Sequence, residues 1–310
     1  GKRLVYMTYQ DTPTKRPFTS ISLYEIDLNT LAVDTIATDT GFISQAYYSP
    51  DGEKLLIIGS AAAFDNLGKN CGSHPIPNDF DNQAYIMDLA TKEVKAISLD
   101  FDPNIDGFIH WAKGDGKIYF RGEDGFYSRI FVYDPKTEKY DRLPIEVDYV
   151  STFSMSKEKP SQIAYIGEGY DHAGVAYLYD VKKRSNKLLA DPFKKTLDKI
   201  NLAKDESWTF TASDGTVIDG VICYPPDFDP AKKYPLIVYY YGGTNPSERS
   251  IRHPYTPQMF ASRDYVVYVI NPSGTTGYGQ EFSARHVNAW GKRTADDIIE
   301  GVKQLCAEHS

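Results

Sequence analysis

The sequence predicts two fold classes in one chain: about four blades of a partial β-propeller, followed by the opening of a parallel α/β sheet. Three observations carry this. A short pattern with an aromatic residue three positions before an aspartate recurs at Tyr24/Asp27, Tyr85/Asp88, Phe131/Asp134 and Tyr177/Asp180. The last three aspartates are 46 residues apart, which is the period of one propeller blade. Near residue 190 the repeat stops, and two wholly apolar runs, 235–241 and 265–270, replace it.

The first gap between aspartates is 61 residues. It matches the others if the Asn- and Pro-rich stretch 61–82 contains an inserted loop of ~15 residues. Between the aspartates, Asp51-Gly52 and Asp115-Gly116 place tight turns before apolar strands. Helical solenoids share such periods, but alternating aromatic and β-branched residues favour strands. The opening Gly1-Lys2-Arg3-Leu4-Val5-Tyr6 aligns with Gly52-Glu53-Lys54-Leu55-Leu56-Ile57, which predicts a start inside a blade. Four blades do not close a ring, so sequence upstream is expected.

The chain has 310 residues, with 41% hydrophobic and 14% aromatic content, enough for two packed domains. A formal charge of -8 argues against nucleic acid as a partner. No run reaches the ~18 apolar residues that a membrane-spanning helix needs. Cys71, Cys223 and Cys306 are few, odd in number and far apart, which excludes a disulfide framework or zinc ribbon. His74, His110, His172, His253, His286 and His309 show no metal-ligand spacing. The reading calls for no metal and no cofactor. It leaves the compartment open.

Residues 1–190 are therefore assigned to the blades and 191–206, polar and Lys-rich, to a linker. From 207 to 310 the pattern is strand, strand, strand, helix, strand, helix. Residues 208–212 and 217–224 flank the turn Ser213-Asp214-Gly215-Thr216. The run 257–263 suits a helix. Thr294-Ala295-Asp296-Asp297 reads as a capping box opening another, with Ile298, Val302 and Leu305 as its apolar stripe and Ile299 and Cys306 beside it. Apolar strands alternating with helices predict a parallel sheet, and Cys223 reads as a small hydrophobe buried in a strand.

Four motifs stand in the second half: Tyr241-Gly242-Gly243-Thr244, Met259-Phe260-Ala261-Ser262-Arg263-Asp264-Tyr265, Asn271-Pro272-Ser273-Gly274-Thr275-Thr276-Gly277-Tyr278-Gly279, and Trp290-Gly291 followed by Asp296-Asp297. In this order, behind a propeller, they make the chain resemble the prolyl oligopeptidase family of serine peptidases, which includes dipeptidyl and acylaminoacyl peptidases. The resemblance implies that residues 207–310 are the N-terminal part of an α/β-hydrolase domain, that the propeller caps it, and that the substrate is a short peptide. It also implies that Tyr241 helps stabilise the oxyanion, with Gly242 and Gly243 letting the backbone approach the substrate.

Acyl transfer by serine requires a nucleophile, a base, an orienting carboxylate and oxyanion donors. No G-x-S-x-G elbow is present, because Asn271 and Thr275 replace the glycines around Ser273. The resemblance therefore places the nucleophile, acid and histidine beyond Ser310, and makes the missing segments of the parent chain its expected partners. Two departures stand out: many relatives carry His-Gly-Gly-Pro at the first motif, and Arg where this chain has Ser273. Acidic residues such as Asp79, Asp81, Glu123 and Asp124 are candidates for binding a peptide α-amine as dipeptidyl peptidases do, but solvated loops are the simpler expectation. Rival readings are a TolB-like propeller that acts as an interaction module, and an esterase or catalytically dead relative on the same sheet.

Overall fold

The structure is a computed structural model that describes residues 1–14 and 18–308. His309 and Ser310, named above, lie outside the described residues. The first two thirds fold as consecutive antiparallel meanders. The first has three strands, β1 (Arg3–Asp11), β2 (Thr19–Asp27) and β3 (Val33–Ala37). The second has β4 (Ile43–Tyr48), β5 (Lys54–Ser60), β6 (Asn82–Asp88) and β7 (Val94–Ala96), with a left-handed turn, α1 (Ala63–Asn66), between β5 and β6. The third runs β8 (Asn104–Trp111), β9 (Ile118–Asp124), β10 (Tyr127–Asp134) and β11 (Lys139–Arg142). The fourth runs β12 (Tyr149–Met155), β13 (Gln162–Glu168), β14 (Val175–Asp180) and β15 (Ser185–Ala190). One parallel bridge, Ser128 to Tyr149, joins the third and fourth into a single sheet.

The four repeat aspartates end β2, β6, β10 and β14, and each caps the turn that follows. Asp27 accepts from the backbone N–H groups of Asn29 and Thr30 at 2.8 and 2.9 Å, and Asp88 and Asp180 do the same two and three residues on. Asp134 accepts from Lys136 at 2.9 Å. Four residues past each aspartate the chain turns left-handed, at Leu31, Lys92, Glu138 and Arg184, with φ between 50 and 63°. These local bonds to the charged form hold all four carboxyls below the ordinary aspartate range. The register repeats too: Arg3 lies opposite Asp27 as Lys54 lies opposite Asp88.

Period-two alternation explains the unbroken apolar run in β5. Leu55 and Ile57 face the first meander's Ile21, Leu23 and Ile36, whereas Leu56 and Ile58 face the third meander's Ile105, Ile118 and Phe120. A strand sandwiched between two sheets needs both faces apolar, and each such side chain contributes about 1.5–3 kcal/mol on burial. Ile130, Val132, Val150, Phe153 and Tyr179 repeat the arrangement between the third and fourth meanders. Buried apolar clusters join the first meander to the second, the second to the third and the third to the fourth.

A short helix, α2 (Lys194–Leu197), leads into the C-terminal sheet of β16 (Lys204–Thr211), β17 (Val217–Tyr224), β18 (Leu236–Tyr239) and β19 (Val266–Asn271), in the order β16-β17-β19-β18. α3 (Pro257–Ala261) connects β18 to β19, and α4 (Gln280–Ala284) and α5 (Arg293–Glu308) follow. Three sequence expectations need correction. β16 begins at Lys204, inside the stretch read as a linker. The sheet is mixed, because the tight Ser213–Thr216 turn makes β16 and β17 a hairpin and only β18 and β19 are parallel. The capping box does not form: α5 starts at Arg293, and the Thr294 hydroxyl donates instead to the Ser273 carbonyl at 3.0 Å. Ile298, Val302 and Leu305 do face the sheet, against Tyr268 and Ile270, whereas Ile299 and Cys306 are exposed.

Two seams fix this sheet against the meanders. At one, Arg249 reaches Asp148 at 2.8 Å and Asp205 at 2.5 Å while its guanidinium lies over the Tyr170 ring. At the other, Thr276 donates to Glu123 at 3.0 Å, Gly125 N–H to the Gly277 carbonyl at 3.0 Å, and Ser283 to the Asp81 carboxylate at 2.6 Å. No helix among the described residues is long and apolar enough to cross a membrane.

Candidate functional site

β18 runs out at Tyr239, and the next residues turn sharply into the open. Gly242 has φ +79°, which a side chain would strain, and a Cβ on Gly243 would collide with the Tyr241 ring. The two glycines thus have separate reasons: one bends the chain, the other leaves room for the ring it follows. Tyr241 is 61% exposed, and among the described residues no hydrogen bond engages its hydroxyl.

The other motifs hold this turn in place. Thr276 donates both its N–H and its hydroxyl to the Thr244 carbonyl, at 2.7 and 3.1 Å. The Asn271 carboxamide accepts from Ser247 N–H at 2.9 Å and donates to the Tyr278 hydroxyl at 3.1 Å. The Asn271–Gly279 motif is in turn fixed by α5, where buried Asp297 accepts from Ser273 N–H at 2.8 Å. Ser273 is 2% exposed, wedged between β19 and α5, and does not face the cavity beside Tyr241. The fourth motif thus supports the third, the third supports the first, and Tyr241 and Trp290 reach open space.

That space is a cavity of about 1020 Å³ between the C-terminal sheet and the first two meanders. Tyr241, Thr244, His286 and Trp290 line one wall, and Phe18, Phe42, Pro77 and Phe80 line the other. Trp290 is 81% exposed and stacks on the His286 ring, centroids 5.7 Å apart. Partial burial holds the His286 imidazole below its ordinary pKa, favouring the neutral ring. Trp290 stands in the fourth sequence motif, but its pairing with His286 as a cavity wall is not legible in the sequence, since the spacing of the two matches no motif with a mechanism.

The acidic residues divide. Asp79 lines the cavity. Asp124 sits near Arg142 at 3.6 Å. Asp81 and Glu123 are not solvated, contrary to the simpler sequence expectation. Asp81 is 2% exposed, and its burial pushes the carboxyl up to about 6 against the pull of the Ser283 hydrogen bond. Glu123 is enclosed by Asn104 and Thr276, and desolvation, aided by the nearby Asp106 charge, raises it to about 7. Cys223 is fully buried in β17 and its thiol is raised well above the ordinary range, so it packs rather than reacts. Among the described residues no group of three His, Cys, Asp or Glu is placed to hold a metal ion.

The prolyl oligopeptidase family model matches residues 252–309, from just past the Arg249 seam through α5. Dipeptidyl-peptidase 5 of Schizosaccharomyces pombe is 24% identical over 319 residues, covering 98% of this chain and 42% of the relative. Among solved structures, puromycin hydrolase superposes with a TM-score of 0.66 at 17% identity over 99% of this chain and 54% of its own. The acylaminoacyl peptidase of Pyrococcus horikoshii superposes with a TM-score of 0.58 at 15% identity over 98% of this chain and 61% of its own. Those solved neighbours are peptidases that combine a propeller with an α/β-hydrolase domain, and the fold of this chain is similar to the part of them that it spans. The chain is related to the prolyl oligopeptidase family of serine peptidases. It spans less than half the length of the curated relative and somewhat over half of the solved ones.

Proposed function

We propose that these 310 residues form part of a serine peptidase that hydrolyses short peptides by acyl-enzyme chemistry. In this reading residues 1–190 are propeller blades, the stretch from 191 to the start of β16 at Lys204 connects them, and the chain from β16 to residue 310 is the N-terminal part of an α/β-hydrolase domain. The nucleophile, acid and base come from other parts of the parent chain, and the fragment alone is inactive. The parent's missing segments are its partners. The free edge of β18, paired only with β19 among the described residues, offers a ladder for a further strand.

The observation that carries the reading is the unengaged Tyr241 hydroxyl, held at a strand end by a glycine turn and opening on the cavity. A phenol donates one strong hydrogen bond while remaining neutral near pH 7, which suits an alkoxide forming on a scissile carbonyl. Gly242 and Gly243 allow the backbone to approach the same atom. Tyr241→Phe in the parent protein keeps the ring and deletes the donor. It lowers kcat about ten- to a thousandfold with little change in KM. Assays on short chromogenic peptides and a simple ester check this; unchanged turnover removes Tyr241 from the site, and ester cleavage without peptide cleavage moves the parent to the esterase class.

A further inference from the structure

The inserted stretch in the second meander does more than lengthen a loop. Between β5 and β6 it is held to α4 by polar groups that are nearly all consumed there. Gln280 accepts from Asn70 N–H and donates to the Gly68 carbonyl, both at 2.8 Å. Asn78, 3% exposed, donates to the Ser283 carbonyl at 3.3 Å and accepts from Phe80 N–H at 3.0 Å. Asp81 is held by Ser283 as described. Phe80 thus stands between two buried, bonded residues, yet its own side chain is 65% exposed and faces the cavity.

An aromatic ring left in water on a backbone fixed from both sides has already lost the entropy that ordering a loop on binding would cost. Phe18 and Phe42 flank it, and Tyr241 and Trp290 stand on the opposite wall. A concave site of about 1020 Å³ with aromatic walls and a few polar groups accommodates a small ligand rather than a protein surface.

We infer that Phe80 is a specificity-determining residue that packs against an aromatic or large aliphatic side chain of a short peptide bound in this cavity. The inference rests on the peptidase reading for the identity of the ligand. The loop supplies the contact, while Tyr241 and the C-terminal sheet supply the chemistry. Selectivity among peptides then resides in the meanders, on a loop about 160 residues before Tyr241 in sequence.

The test compares wild type, Phe80→Ala and Phe80→Leu in the parent protein on dipeptide p-nitroanilides whose two positions are varied through Ala, Leu and Phe. Phe80→Ala lowers kcat/KM about ten- to a hundredfold for the peptides with Leu or Phe at one of the two positions, through KM. Ala-only peptides change less than about threefold, and Phe80→Leu restores part of the loss. Equal losses on every peptide, no loss, or a loss confined to kcat overturns the inference. If wild type cleaves none of the peptides the peptidase reading falls, and equilibrium dialysis with the same peptides still decides. Tighter binding of Phe peptides that Phe80→Ala abolishes upholds the role of Phe80; binding without that preference, or no binding, overturns it.

Discussion

The two seams that hold the C-terminal sheet to the meanders solve the same problem with opposite electrostatics. At the Arg249 seam a guanidinium with 9% side-chain exposure sits between two carboxylates and over tyrosine rings, so the buried charge is paired and its pKa rises. At the Thr276–Ser283 seam two carboxyls meet hydroxyl donors instead of cations, and desolvation lifts both. The first seam is insensitive to pH through the neutral range; the second is poised within it. A buried charge with a full counter-charge locks an interface, whereas a buried acid with only neutral donors makes the interface responsive.

Breaking the first seam has the largest expected effect of any single substitution. Arg249→Ala leaves Asp148 and Asp205 facing each other without a cation and destabilises the protein by about 3–5 kcal/mol, read from urea or thermal unfolding. Arg249→Met, which keeps much of the packing, recovers little, since the stranded carboxylates are the main cost.

The second seam sharpens the contrast through pH. Glu123 and Asp81 have folded pKa values, about 7 and about 6, above their ordinary 4.5 and 3.8. The folded protein therefore binds more protons than the unfolded chain between about pH 4 and 7. The stability these groups contribute is full below pH 4 and is lost as pH rises through 6 and 7, on the order of 6 kcal/mol in all. The Glu123→Gln/Asp81→Asn variant loses that slope, and melting curves at pH 5 and pH 8 measure it. Parallel wild-type and variant profiles would remove these acids as its source. Thr276→Val is the mildest change: it deletes one hydroxyl that serves Glu123 and the Thr244 carbonyl, costs about 1 kcal/mol, and leaves the Arg249 seam unaltered.

The same contrast separates what the sequence disclosed from what it concealed. The Asp27, Asp88, Asp134 and Asp180 turns are local, with every partner within four residues, so spacing alone locates them. The apolar character of β5 and the buried state of Cys223 follow equally from composition. Asp81 and Glu123 were unreadable because Ser283 and Thr276, 202 and 153 residues away, enclose them. Thr294 and Asp297 match a capping box in sequence, but the loop at Ser273 competes for both side chains and wins. Tyr241, Gly242 and Gly243 could be picked out as a motif; the opposing wall of the cavity, with Phe80, depends on a docking that no local pattern encodes.

The 202-residue separation between Asp81 and Ser283 also sets an order of events during synthesis. Each meander is contiguous in the chain, so its strands pair as soon as they emerge, whereas the second seam waits for α4. At roughly 5–20 residues per second on the ribosome, that interval is on the order of 10–40 s. For most of it the second meander is finished, yet the inserted loop and its Asp81 carboxylate lack the C-terminal partners that later cover them. The nascent protein therefore carries a temporary sticky surface whose lifetime is set by translation, and slowing the ribosome between these positions prolongs its exposure to chaperones and proteases.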